Sequence, residues 1–211
     1  MAAQAGSADA SRADVACLFA EFLEVSFHLV LYTRGVYPPE LFERRKKFGV
    51  PVYQSRHPEL NGYIGKVLKS VYEALVEKGS QEIRIAVNIT NSDDTVVERF
   101  VFVWKPFGEQ SMPPSLADLQ GDLQSLLLKL STVDAVLQPL PENCLFFVEI
   151  EFMDDEDAEL EDWVVVPGSS QPIGKSDSSI PSTVPLKKFQ CGSTQLLAFV
   201  EQCKIGALSS P

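Results

Sequence analysis

Few residues in this chain have both the type and the spacing to do chemistry. Its two histidines are His28 and His57, and its four cysteines are Cys17, Cys144, Cys191 and Cys203. No two cysteines form a CxxC pair, so no zinc-ligand spacing is available, and no metal site is expected. His28 lies in the most apolar stretch of the chain and reads as a satisfied core histidine. His57 precedes Pro58 at a helix start and reads as a capping residue. Cys17 and Cys144 sit in apolar runs and read as small core residues, which makes inert thiols of them. A thiol-dependent hydrolase built on Cys144 or Cys17 is the only enzyme these residues permit. There is no GxGxxG, P-loop, GxSxG or HExxH, and no cofactor is expected. Asp154-Asp155-Glu156-Asp157 lacks the glycine and ligand spacing of a calcium loop.

Composition bounds the remaining functions. The 211 residues carry a formal net charge of −11, which repels a phosphate backbone, so no direct nucleic-acid binding is expected. The one basic run, Arg44-Arg45-Lys46-Lys47, is short and reads as a solvated turn. The first residues are Ala/Ser-rich without a signal peptide's charge and hydropathy pattern, and no apolar run approaches about 18 residues, so no membrane association is expected. The Asn88-Ile89-Thr90 sequon falls within a strand pattern and reads as chance. These features and the unpaired cysteines point to a reducing compartment.

The elements that must position these residues follow from periodicity. Val15, Leu18, Phe19, Phe22 and Leu23 have helical spacing, and Val25 to Tyr32 is apolar nearly all round. The spacing therefore predicts a central helix from Ala13 to about Val36, stopped by Tyr37-Pro38-Pro39. Residues 40–56 read as a short helical turn and a small strand. A second helix runs from His57 to about Lys78, ended by Gly79. Strands follow at Glu82–Thr90 and Val96–Trp104, joined by the turn Asn91-Ser92-Asp93-Asp94. After a polar link from Pro106 to Pro114, Ser115 caps a third helix reaching about Leu137, with Leu116 and Val136 on its inner face. Cys144–Met153 is a third strand. Three helices on an antiparallel sheet make the fold class α+β.

Beyond Met153 the character changes. An acidic run to Asp162 is followed by Trp163-Val164-Val165-Val166-Pro167 and a Gly/Ser/Pro-rich stretch from Gly168 to Thr183. Strand character then returns in Val184–Lys187 and Leu196–Val200. A segment of that length without structure of its own, followed by apolar strands, behaves as a strap tied at its far end.

Several segments together resemble the HORMA-domain family, and within it the DNA polymerase zeta accessory subunits, over roughly residues 13–202. They are Glu21–Val25, His28–Tyr32, Val36-Tyr37-Pro38, Arg45-Lys46-Lys47, Val50-Pro51-Val52, His57–Asn61 with Tyr63-Ile64, Val97–Phe102, Leu128–Ser131, Asp134–Leu137 and Pro185-Leu186-Lys187. The spindle-checkpoint proteins are the neighbouring branch, and the His57-to-Tyr63 segment favours the polymerase branch. The resemblance implies a disordered start at 1–12, a HORMA core at 13–153, a movable "safety belt" at 154–202 and a disordered tail at 203–211. It also implies a non-catalytic nuclear adaptor in translesion DNA synthesis, whose belt wraps a short peptide of the polymerase's catalytic subunit. The implied peptide-site residues are Tyr37, Tyr63, Phe146, Val148 and Trp163; Trp163 stands several residues earlier than the family's belt tryptophan. A Y-family deoxycytidyl transferase would dock on Thr183, Leu197 and Phe199. A HORMA–HORMA dimer face would hold Arg44, Gln124, Lys129, Asp134 and Ala135, with Gln124 replacing a basic residue and Gly35 an acidic one. The alternative within the resemblance is a spindle-checkpoint or meiotic peptide-binding protein.

Overall fold

A computed structural model describes residues 11–77, 82–107, 113–152 and 181–203. The first helix, α1 (Arg12–Thr33), begins in a reciprocal capping box, in which the Ser11 hydroxyl accepts the Asp14 N–H and the Asp14 carboxylate accepts the Ser11 N–H. It therefore starts one residue before the expected Ala13. It ends at Thr33, earlier than the proline pair requires, because Gly35 takes a left-handed φ of 63° and the Val36 N–H closes back on the Leu31 carbonyl. By length and composition α1 is apolar enough to cross a membrane, contrary to the expectation that no such run exists, but 67% of that window is buried inside the domain. Its apolar girdle is the core of the fold: Phe19 stacks on Trp104 at 4.1 Å and Phe22 meets Phe102 edge-on at 5.9 Å.

Residues 40–56 hold more strand than expected. A 3-10 turn (Pro39–Leu41) leads into the antiparallel pair β1 (Phe42–Lys47) and β2 (Val50–Ser55). The basic run is thus a strand rather than a turn; Arg44 to Lys47 are all exposed on it. Next, α2 (Pro58–Glu77) starts beside His57, whose Nδ1 accepts the Leu60 N–H at 3.4 Å, as a capping residue should. The hairpin β3 (Ile83–Thr90) and β4 (Val96–Lys105) turns at Asn91–Asp94. Capped by Ser115, α3 (Leu116–Leu130) is shorter than expected. A separate 3-10 turn (Val133–Ala135) follows it, so Val136 is exposed, as is Leu116 at the helix start, rather than facing inward.

The chain closes with β5 (Leu145–Phe152), β6 (Ser182–Cys191) and β7 (Thr194–Gln202). The strand character expected at Val184–Lys187 and Leu196–Val200 falls within this last hairpin. Five strands form one antiparallel sheet in the order β5-β3-β4-β7-β6. Its inner face carries Ile83, Ile85, Phe100, Phe102, Trp104, Ala198 and Val200, all buried beneath the helices. The expected helix end at Lys78-Gly79, Met153, the acidic run, Trp163, and the tail beyond Cys203 lie outside the described residues.

Cys17 is exposed on α1, which corrects its assignment to the core; it falls on the polar side of the Val15–Phe19 face. The cysteine that is buried is Cys191.

Candidate functional site

The two outer strands of the five-stranded sheet differ in how they treat their open edge. On β6 the edge carries Pro185, an irregularity of register between Pro185 and Lys187, and the pair Lys187-Lys188. Proline removes a ladder donor, a bulge twists the strand, and lysines repel a neighbour, so each discourages a further strand. On β5, Leu145-Phe146-Phe147-Val148-Glu149-Ile150-Glu151-Phe152 has no proline, no lysine and an unbroken register to β3. Among the described residues no strand pairs with the other side of Leu145–Glu151. This edge can accept a strand.

Four of the five sequence-expected peptide-site residues converge on that edge. From α2, the Tyr63 hydroxyl accepts the Val148 N–H at 3.0 Å. The Tyr63 ring meets Phe146 edge-on at 5.6 Å, and Tyr37, just beyond α1, meets Phe146 edge-on at 6.1 Å. Val148 is buried beneath them, while Tyr63 stays 38% exposed. Burial raises both tyrosine pKa values; at Tyr63 the Val148 bond opposes the rise, and at Tyr37 the neighbouring Tyr63 adds to it. Both rings are therefore neutral at ordinary pH, presenting apolar faces and hydroxyl tips. Trp163, the fifth residue, lies outside the described residues.

The Val148–Tyr63 bond also fixes the parity of the edge. Backbone direction and side-chain face alternate together, so Phe146, Val148 and Ile150 turn their amides outward and their side chains toward the helices.

The outer face of the sheet assembles the second expected set. Cross-strand register places Pro185, Phe199, Val101 and Ala86 in one row, Lys188, Leu197, Val103 and Arg84 in the next, and Thr183, Glu201, Arg99 and Asn88 on the other side. Thr183 and Leu197 are exposed and Phe199 is half-buried. Ion pairs from Arg84 to Glu151 and from Arg99 to Glu201, each 3.4 Å, frame this apolar centre.

The third set, Arg44, Gln124, Lys129, Asp134 and Ala135, is only partly free. Arg44 and Ala135 are exposed. The Gln124 amide lies against the tight turn at Gly49, 3.0 Å from where a Cβ would stand. Lys129 donates to the Leu186 carbonyl at 2.6 Å, and Asp134 pairs with Arg34. Sequence reasoning missed the counterpart of the Lys129 contact: Lys187 on β6 reaches back to Asp122 at 2.8 Å and to Ser125 on α3.

It also missed a buried polar cluster. Arg34, Glu98 and Gln202 are all under 10% exposed and are bonded together beneath the sheet end. Parity offered a signal for Glu98, since Phe100, Phe102 and Trp104 share its face of β4.

The titratable groups open to nucleophilic chemistry are quiet. Burial pushes the Cys144 and Cys191 thiols up, and they donate to the carbonyls of Pro141 and Ser115. His28 is buried, accepts the Ser55 N–H at 3.5 Å, and burial lowers its pKa to about 4, as a core histidine's should be.

Comparison with known proteins places this geometry. A family model described as HORMA domain matches residues 16–195. The chain is 35% identical over 198 residues to the mitotic spindle assembly checkpoint protein MAD2B of Homo sapiens, with 90% of each chain covered. It is 35% identical over 142 residues to the DNA polymerase zeta processivity subunit of Arabidopsis thaliana, covering 64% of this chain and 62% of that one. Among solved structures, a chain of the crystal structure of the Mitotic Checkpoint Complex superposes with a TM-score of 0.73 at 24% identity, covering 92% and 97% of the two chains. C. elegans HTP-2 bound to the HIM-3 closure motif superposes with a TM-score of 0.72 at 14% identity, with 93% of each chain covered. The structural likenesses establish the fold, and no enzymatic family is among these relatives. With the family model spanning most of the chain and relatives matching along nine-tenths of their length, the chain belongs to the HORMA domain family.

Proposed function

We propose that the chain is a non-catalytic adaptor subunit of DNA polymerase zeta, acting in the nucleus during translesion DNA synthesis. A short segment of the polymerase's catalytic subunit adds to the open edge of β5, and residues 154–202 act as the belt that closes over it. Main-chain hydrogen bonds to the outward amides of Phe146 and Ile150, beside the Val148 amide that Tyr63 holds, supply affinity, and the Tyr37–Phe146–Tyr63 cluster supplies side-chain selectivity. The outer face holding Thr183, Leu197 and Phe199 presents a second surface, to a Y-family deoxycytidyl transferase. The observation that carries the reading is the contrast between a blocked β6 edge and an open, aromatic-lined β5 edge. The relative named DNA polymerase zeta processivity subunit supports the choice of partner. A HORMA–HORMA contact through Arg44, Gln124, Lys129, Asp134 and Ala135 completes the partner set, with Lys129 and Asp134 also bonded within the chain, to Leu186 and Arg34. Direct nucleic-acid binding and membrane attachment form no part of this reading.

The test is co-purification with the catalytic subunit, mapped by truncation to its shortest binding segment. Tyr63→Ala is expected to weaken that segment's binding at least tenfold while the thermal transition moves by only a few degrees. Phe199→Ala is expected to leave it unchanged and to lose the second polymerase. Unchanged binding by Tyr63→Ala sinks the edge site.

A second reading, a spindle-checkpoint adaptor holding a checkpoint peptide on the same edge, is favoured by the name of the MAD2B relatives. Competition between polymerase and checkpoint segments for one preparation separates the two.

A further inference from the structure

The β6–β7 hairpin is fastened to the domain at its last residue by a buried polar cluster that none of the functional surfaces uses. Glu98 on β4 and Gln202 on β7 are cross-strand partners on the inner face, 0% and 3% exposed. The Gln202 amide donates to Glu98 Oε2 at 2.8 Å and to the Gln138 carbonyl at 3.1 Å, and its carbonyl oxygen accepts the Gln138 N–H at 3.0 Å. Arg34, at the C-terminal cap of α1, donates to both oxygens of Glu98, at 2.8 and 3.0 Å, and to the Gln138 carbonyl at 2.6 Å. Its remaining arm holds Asp134, whose side chain is 62% exposed.

A carboxylate with no exposure is tolerated only when its oxygens are bonded. Arg34 meets both oxygens, and Gln202 supplies a further donor to one of them that arrives only when β7 is docked on β4. If the hairpin leaves, Glu98 and the Gln138 backbone lose partners together, while Arg34 keeps Glu98, Asp134 and the Gln138 carbonyl. Buried networks of this kind act as units, because a half-satisfied one costs more than an empty one.

We propose that Gln202 is a latch: its carboxamide, read by Glu98 and by both backbone groups of Gln138, makes attachment of the β6–β7 hairpin an all-or-none event. The consequence for ligand retention rests on the belt reading of residues 154–202; the attachment itself does not.

Hydrogen exchange on the full, ligand-free chain tests the latch separately from whatever the belt holds. Gln202→Glu sets a second carboxylate against Glu98, and amide protection across Thr194–Gln202 is expected to fall at least tenfold while β3 and β5 amides keep theirs. Glu98→Gln combined with Gln202→Glu swaps amide and carboxylate across the same cross-strand pair and leaves a single carboxylate in the cluster, and protection should return to within about threefold of the parent. Gln202→Met, which keeps length but not hydrogen bonds, should move the same amides less. Parent-like protection in Gln202→Glu overturns the latch. So does a uniform loss across β3, β5 and β7 in both single variants, or no recovery in the double variant.

Discussion

At the scale of single residues, His28 makes the most direct statement about burial. Its folded pKa is near 4, against 6.5 for the free side chain, because desolvation disfavours the imidazolium. The fold therefore binds the proton less readily than the unfolded chain does. Stability contributed by keeping His28 neutral is fully present above pH 6.5, is lost as pH falls from there toward 4, and falls no further below it. Between pH 6.5 and 5 the loss from this one site is about 2 kcal/mol. Urea unfolding at pH 7 and pH 5 should show that loss in the parent and a smaller one in His28→Gln, in which nothing titrates. Equal losses in both would remove His28 from the account. The histidine was legible from its apolar neighbours. Cys17 was not: an apolar run in sequence says which residues are hydrophobic, but only helical phase says which face each takes. Glu98 and Gln202 needed more still, since a buried ion cluster is assembled from α1, β4, β7 and the loop at Gln138, elements far apart in the chain.

At the scale of elements, the periodic segments were readable and the short ones were not. The apolar faces of α1, α2 and α3 and the alternation in β3 and β4 are local signals. By contrast β1 and β2 are six residues each, and the basic composition of β1 hid its pairing with β2. The same distinction shapes the argument for the β5 edge. That Tyr63 belongs there came with the resemblance, whereas the direction of each amide came only from the Val148 bond. A prediction follows from that direction. Because the Ile150 amide points to the open edge, Ile150→Pro removes no bond of the β3–β5 ladder, and an edge strand tolerates proline in such a position. Ile150→Pro should fold with a modest fall in melting temperature, yet bind the catalytic-subunit segment at least tenfold more weakly, since it withdraws an outward donor and stiffens the strand. Glu149→Pro is the control: its amide faces β3, so it should destabilise the fold itself. If Ile150→Pro binds like the parent, the ligand does not pair with β5.

At the scale of the whole molecule, the sheet order sets a distance that the chain between β5 and β6 must cover. Phe152 stands level with Ile83, Trp104, Leu196 and Phe189, whereas Ser182 stands level with Gln202, Glu98, Ile89 and Phe146. The connection therefore crosses four strand spacings and six residues of strand length, about 28 Å on the diagonal. Roughly nine extended residues reach that far, and residues 153–181 supply about three times as many. The surplus suits a belt that must pass around something lying on β5. Cutting the chain after Phe152 is a poor test of that idea, because it also strips β7 from β4 and uncovers Phe100 and Phe102. Replacing residues 154–180 with a Gly/Ser linker of equal length leaves both strands and the Tyr63 cluster in place. The melting temperature should then stay within a few degrees of the parent, because hairpin docking relies on β4, on the Lys129 and Lys187 contacts between α3 and β6 and on Gln202. Dissociation of the catalytic-subunit segment should accelerate at least tenfold, with the association rate moved much less, since a belt without apolar side chains no longer holds what it encloses. An unchanged dissociation rate with an intact fold would confine binding to the β5 edge and leave the acidic, Trp163-containing stretch without a part in retention.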